Sequence, residues 1–193
     1  MTGRQFASGF VFGLMAGILL AQLHLIPANQ AHEALSEVAA TTTNAAEVQN
    51  DWYPVVKVVD GDTIDVSKDG KTVRIRLIGL DTPEVVDPRK PVQCFGKEAS
   101  AEMKKLISSQ SVRLEYDASQ GRLDKYGRTL AYVYAPLNSN PEGLLVNKYM
   151  IAEGYGHEYT YAIPYKYQKD FKAAETAARE AQKGLWAPGV CGN

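Results

Sequence analysis

Residues 55–80 read VVKVVDGDTIDVSKDGKTVRIRLIGL. Two β-branched runs, Val55 to Val59 and Thr63 to Val66, flank Asp60-Gly61, and Lys68-Asp69-Gly70 then turns the chain into Thr72 to Leu80. Asp-Gly between such runs signals a hairpin, because both residues tolerate the positive φ that tight turns need. Three consecutive strands are therefore predicted. Alternation along Val73-Arg74-Ile75-Arg76-Leu77 places Arg74 and Arg76 on one face of the third strand, opposite the apolar residues.

Outward from this stretch the pattern changes period. Lys97 to Ile107 carries Ala99, Met103, Leu106 and Ile107 on one helical face. Val112 to Tyr116 and Thr129 to Tyr134 read as two more strands, and Leu144 to Glu153 as a second helix ended by Gly154. Tyr165 to Lys183 reads as a third, with Phe171, Ala174, Ala178 and Ala181 as its apolar stripe and Gly184 beyond its end. Three strands, a helix, two strands and two helices predict an α+β domain: a five-stranded OB-fold barrel packed by about three helices. Trp52 and Trp186 are expected to close the ends of its core.

Phe6 to Ile26 has no formal charge and is long enough, as a helix, to cross roughly 30 Å of hydrocarbon. Arg4 precedes it and acids follow it, which favours a cytoplasmic N-terminus and export of the rest. Residues 1–27 are thus read as a membrane anchor or signal peptide, 28–51 as a small, polar spacer and 52–193 as the folded domain. The expected location is the periplasmic or exterior face of a membrane, or the medium if the segment is cleaved. In an oxidising compartment Cys94 and Cys191 are a candidate disulfide, with two free thiols as the alternative.

The first fifty residues hold one basic residue and three acids, leaving 20 basic and 19 acidic groups from whole-chain totals of 21 and 22. Attraction to phosphate must come from local clustering rather than bulk charge. Asp60-Gly61-Asp62-Thr63, Asp81-Thr82-Pro83-Glu84 and Asp124-Lys125-Tyr126-Gly127-Arg128 supply such clusters. Phosphodiester cleavage needs guanidinium groups for the charge that grows on the equatorial oxygens, a role for Arg76 and Arg128. It also uses a hard cation held by oxygen ligands, a role for Asp62, Asp81 and a backbone carbonyl, and a carboxylate for the attacking water, a role for Glu84. Each segment alone is as readily a solvated face; the combination is the signal. His157 is the one histidine of the 52–193 region and belongs to no catalytic motif, so a surface or packing role is expected for it.

In this order and spacing, VVDGDTIDV, RIRLIGLDTPE, CFGKEAS and DKYGRTLAYVY resemble the staphylococcal (thermo)nuclease family, from about Val55 to Trp186. The resemblance implies an OB-fold and Ca²⁺-dependent cleavage of DNA and RNA to 3′-phosphate ends. It puts the catalytic roles on Arg76, Glu84 and Arg128, and the calcium ligands on Asp62, Asp81 and the Thr82 carbonyl, with Asp60 close by. Lys125 and Tyr126 match positions that contact a nucleotide phosphate. Gly156-His157-Glu158-Tyr159-Thr160-Tyr161 departs from the family pattern, and Tyr159 or Tyr161 fills the place beside the nucleotide. Nucleic acid is the expected partner, the membrane a second if the N-terminal segment is kept, and no obligate protein partner is inferred. The rival reading is a non-catalytic OB-type module that binds nucleic acid or a protein at the cell envelope.

Overall fold

The structure, a computed structural model, describes residues 51–89 and 91–192. The apolar segment and all but the last residue of the spacer lie outside the described residues. Among these, no helix is long and apolar enough to cross a membrane.

In chain order the elements are β1 (Trp52–Val58), β2 (Thr63–Lys68), β3 (Lys71–Leu77), β4 (Leu80–Asp81), α1 (Gly96–Ile107), β5 (Ser111–Glu115), β6 (Thr129–Leu137), β7 (Asn140–Leu145), α2 (Val146–Ala152), β8 (His157–Glu158) and α3 (Gln168–Glu180). A short 3₁₀ turn at Gly184–Trp186 follows. β1, β2 and β3 form the antiparallel meander. β1 also pairs with β5 and β5 with β6, and β6 returns beside β3 in parallel, so the sheet closes on itself as a five-stranded OB-fold barrel. Closure removes the free edges that an open meander would present. Ile64, Val66, Ile75, Leu77, Val112 and Val133 fill its interior, joined by Met103 of α1, Met150 of α2 and Phe171 of α3. Each such side chain contributes about 1.5–3 kcal/mol by leaving water.

Of the two Asp-Gly pairs, Asp69-Gly70 makes the tight turn: Lys68 faces Lys71, and φ is 52° at Asp69 and 72° at Gly70. Asp60-Gly61 lies instead in a wider loop, between Val58 and its partner Ile64. That width leaves room for two carboxylates at the barrel's end.

α1 matches its expected span, while α2 and α3 are shorter than the apolar periodicity predicts. Leu144 and Leu145 belong to β7, where they face Ala135 and Tyr134 across the sheet; strand pairing overrides their helical propensity. Tyr165 to Tyr167 precede α3; there the Tyr165 hydroxyl donates to Glu158, the Lys166 N–H to Asp117 and the Tyr167 hydroxyl to Glu115. Ala181 lies just beyond α3 and is exposed, not part of the buried stripe. Gly154 does end α2, its N–H bonding to the Ile151 carbonyl and that of Tyr155 to Met150. After α3 the same reversal falls on Gln182, and Gly184 serves another purpose: a Cβ there would strike the Gly154 carbonyl, against which the C-terminal segment docks. Trp52 is 38% exposed and caps no core. Trp186 lies under the Arg179 guanidinium, 3.8 Å from its ring, and edge-on to His157.

Candidate active site

Four separated segments meet at one end of the barrel. The β1–β2 loop delivers Asp60 and Asp62, and the end of β3 delivers Arg76. The segment from β4 onward delivers Asp81, Thr82 and Glu84, and the β5–β6 loop delivers Asp124 to Arg128. All of these except Asp124, Lys125 and Gly127 line a cleft of about 640 Å³. A second hollow of about 690 Å³ shares Arg76, Asp81, Tyr126 and Arg128 with it, so the two are halves of one groove.

The acidic half is tightly tied. Arg76 reaches Asp62 at 3.2 Å and Asp81 at 2.9 Å and donates to the Leu80 carbonyl at 2.6 Å. Asp62 receives the Thr82 N–H at 2.9 Å and hydroxyl at 3.1 Å on one oxygen, and the Thr63 hydroxyl at 3.0 Å on the other. Thr82 comes this near because residue 61 is glycine: a Cβ there would sit 2.7 Å from the Thr82 hydroxyl. Arg74 lies on the same face of β3, as the alternation predicts, but turns to Asp65 at 2.8 Å and stays out of the groove. Burial, then the neighbouring Asp62 carboxylate, push the Asp60 carboxyl up to about 7. Asp81 is also raised, by burial first and by Asp62, against the lowering effect of Arg76. Asp62 and Asp81 share the Arg76 guanidinium, with the Asp60 carboxyl crowded beside Asp62.

Arg128 is placed by its own loop. One Asp124 oxygen accepts the N–H groups of Tyr126 and Arg128 at 2.8 and 2.9 Å, and the other accepts Arg128 Nε at 2.6 Å. Gly127 takes the positive φ of 79° that closes the turn. Burial alone would raise the Asp124 carboxyl, but these donors hold it below the usual carboxylate range. Glu84 is fixed in the same way, with one carboxylate oxygen accepting the N–H groups of Val86 at 2.7 Å and Asp87 at 3.1 Å.

The other half of the groove is aromatic. Tyr126, Tyr159 and Tyr161 are exposed there, with Tyr159 and Tyr161 edge-to-face at 5.4 Å, and Lys125 Nζ lies 5.0 Å from the Tyr126 ring centre. The structure thus brings together every site residue expected from sequence. It adds Leu123 and Ile163, exposed apolar residues beside the tyrosines, and Gln93 and Arg89 beside Glu84. No motif marks these four; only folding brings them to the groove. His157 takes a packing place against Trp186, with Glu175 3.4 Å away. Cys94 and Cys191 form a disulfide, with Cα atoms 5.4 Å apart.

The donor set around Asp62, Asp81 and Thr82 is all oxygen, the chemistry a hard divalent cation prefers. Among the described residues, however, no group of three or more His, Cys, Asp or Glu side chains stands ready to hold a metal ion. Asp62 and Asp81 are engaged by Arg76 instead.

Fold and groove together define an OB-fold domain whose barrel end presents two guanidinium groups, clustered carboxylates and aromatic rings. The family model described as staphylococcal nuclease homologue matches residues 74–188. The chain is 44% identical over 135 residues to a thermonuclease of Staphylococcus hyicus, covering 70% of this chain and 75% of that protein. It is 42% identical over 143 residues to a thermonuclease of Staphylococcus intermedius, covering 74% and 80%. Endonuclease YncB of Bacillus subtilis is 36% identical over 132 residues, 68% of this chain and 59% of that one. This chain belongs to the staphylococcal nuclease family.

Proposed function

We propose that this nuclease hydrolyses phosphodiester bonds of DNA and RNA with Ca²⁺, outside the cytoplasm, leaving phosphate on the 3′ side. One observation carries the reading: Arg76, Glu84, Arg128 and the acids around Asp62 converge on one groove from four distant segments. Water attacks phosphorus in line with the P–O5′ bond, and Glu84 takes or orients its proton. Arg76 and Arg128 hold the equatorial oxygens as charge grows on them, from positions already fixed by Asp62, Asp81 and Asp124. The P–O5′ bond breaks, the 5′ oxygen leaves as an alcohol with a proton drawn from the surrounding water, and phosphate stays on the 3′ oxygen. Asp62, Asp81 and the Thr82 carbonyl would hold the calcium ion, with Asp60 beside them; bound there, it supplies Lewis-acid polarisation of a phosphate oxygen. Lys125 and Tyr126 would contact a neighbouring phosphate, and Tyr159 or Tyr161 a base; that all four line the same half of the groove supports this reading. Action outside the cytoplasm is supported by the apolar N-terminal segment and agrees with the disulfide.

Digestion of DNA and of RNA with calcium, and again with a chelator, tests this when the product ends are assigned. Calcium-dependent 3′-phosphate ends are expected. 5′-Phosphate ends would contradict the mechanism, and binding without cleavage would favour the non-catalytic module.

A further inference from the structure

The loop that carries Glu84 is closed by its neighbour Gln93. The Glu84 N–H donates to the Gln93 side-chain oxygen at 2.7 Å, and the Gln93 N–H donates to the Glu84 carbonyl at 2.9 Å. These two bonds clasp the base of the exposed loop between them, while the Glu84 carboxylate clasps its first turn through Val86 and Asp87. Pro88 and Pro91 limit the backbone within the loop, but its two ends are held together by the clasp, which is only as well placed as Gln93. Gln93 is next to Cys94, and Cys94 is bonded to Cys191.

The corner at Cys94 is fixed from three directions. The bridge ties it to the C-terminal segment, which docks where Leu185 N–H meets the Gly154 carbonyl at 2.9 Å. Phe95 stacks on Tyr155 with ring centres 5.7 Å apart, next to the same Gly154. Gly96 leaves no room for a Cβ, which would lie 2.8 Å from the Pro83 carbonyl and 2.5 Å from Val85. Phe95 holds φ at 65°, a conformation a bulky residue keeps only where its surroundings impose it. The corner therefore transmits the position of the C-terminal segment to Gln93, and through it to Glu84.

We infer that Gln93 is the positioning residue for Glu84, and that the Cys94–Cys191 bridge holds Gln93 in place. The inference rests on the reading of Glu84 as the residue that acts on water. A base displaced by even an ångström loses much of its effect on the reaction and little on substrate binding. Removal of the clasp should thus appear in kcat rather than KM.

The test compares Gln93→Leu, Gln93→Glu and the pair Cys94→Ser/Cys191→Ser with wild type, on DNA with calcium, at a temperature where circular dichroism shows all four folded. Gln93→Leu should lower kcat about tenfold or more with KM little changed, and Gln93→Glu, which keeps an acceptor oxygen, should recover most of it. The cysteine pair should lower kcat in the same direction, with faster amide exchange at Glu84. Glu84→Gln, run alongside, separates the two claims. If it turns over normally, the role of Glu84 itself fails. If it is inactive while Gln93→Leu and the cysteine pair match wild type, the positioning role alone is overturned. Should Gln93→Leu not fold, wild-type kcat and unchanged Glu84 exchange in the cysteine pair overturn it equally.

Discussion

Asp124 shows how a motif residue can matter by aiming another side chain. It binds two backbone N–H groups and the guanidinium of Arg128, so it shapes the turn and aims the side chain together. Asp124→Ala is expected to lower kcat by about ten- to a hundredfold, because a misaimed guanidinium stabilises the transition state less. Single-turnover rates on the folded variant check this; wild-type rates would mean that Arg128 finds its place unaided. Asp60 makes a prediction of opposite character. Its carboxyl is raised from 3.8 to about 7, so the folded domain without divalent cation loses stability as pH rises between those values. Asp60→Asn removes that loss. In chelator its melting temperature should gain on wild type between pH 5 and pH 8, and a constant difference would count against the crowding of acids.

At the scale of elements, Asp117 joins the barrel to the approach to α3. One oxygen accepts the Tyr132 hydroxyl at 2.6 Å and the Lys166 N–H at 2.7 Å, and the other accepts the Ser119 N–H and hydroxyl at 2.8 Å each. Burial raises this carboxyl, yet the four donors outweigh it and hold it below the ordinary 3.8. Its contribution is therefore complete above that value and lost as pH falls through the lower folded value. Asp117→Asn should cost about 2–3 kcal/mol at neutral pH, read from urea midpoints, and the difference from wild type should shrink in acid. An undiminished difference at low pH would contradict this account of the bond network. The same residue explains a limit of sequence reading. Apolar period alone extends α3 back to Tyr165, but the residues before Gln168 are tied to distant acids, the Lys166 N–H to Asp117 and the Tyr165 and Tyr167 hydroxyls to Glu158 and Glu115, which no local pattern shows. The meander was legible because β-branched runs and Asp-Gly pairs are local signals. β7 and the β4–β8 pair were not, since only partners far along the chain make them strands.

For the whole molecule, the barrel serves to bring four segments, none of them a site alone, to one groove. The charged residues of that groove, Arg89 apart, were legible where arginines and acids recur in spaced motifs. Gln93, Leu123 and Ile163 were not, because a glutamine or an aliphatic residue on a loop carries no chemical mark until the fold places it. The proposed hydrolysis rests on Arg76, Glu84 and Arg128 acting together. The most direct measurement is the single-turnover hydrolysis rate, in saturating calcium, of Arg76→Ala, Glu84→Ala and Arg128→Ala, each shown to be folded. Losses of roughly two to four orders of magnitude are predicted for each; near wild-type rates in all three folded variants would contradict the account.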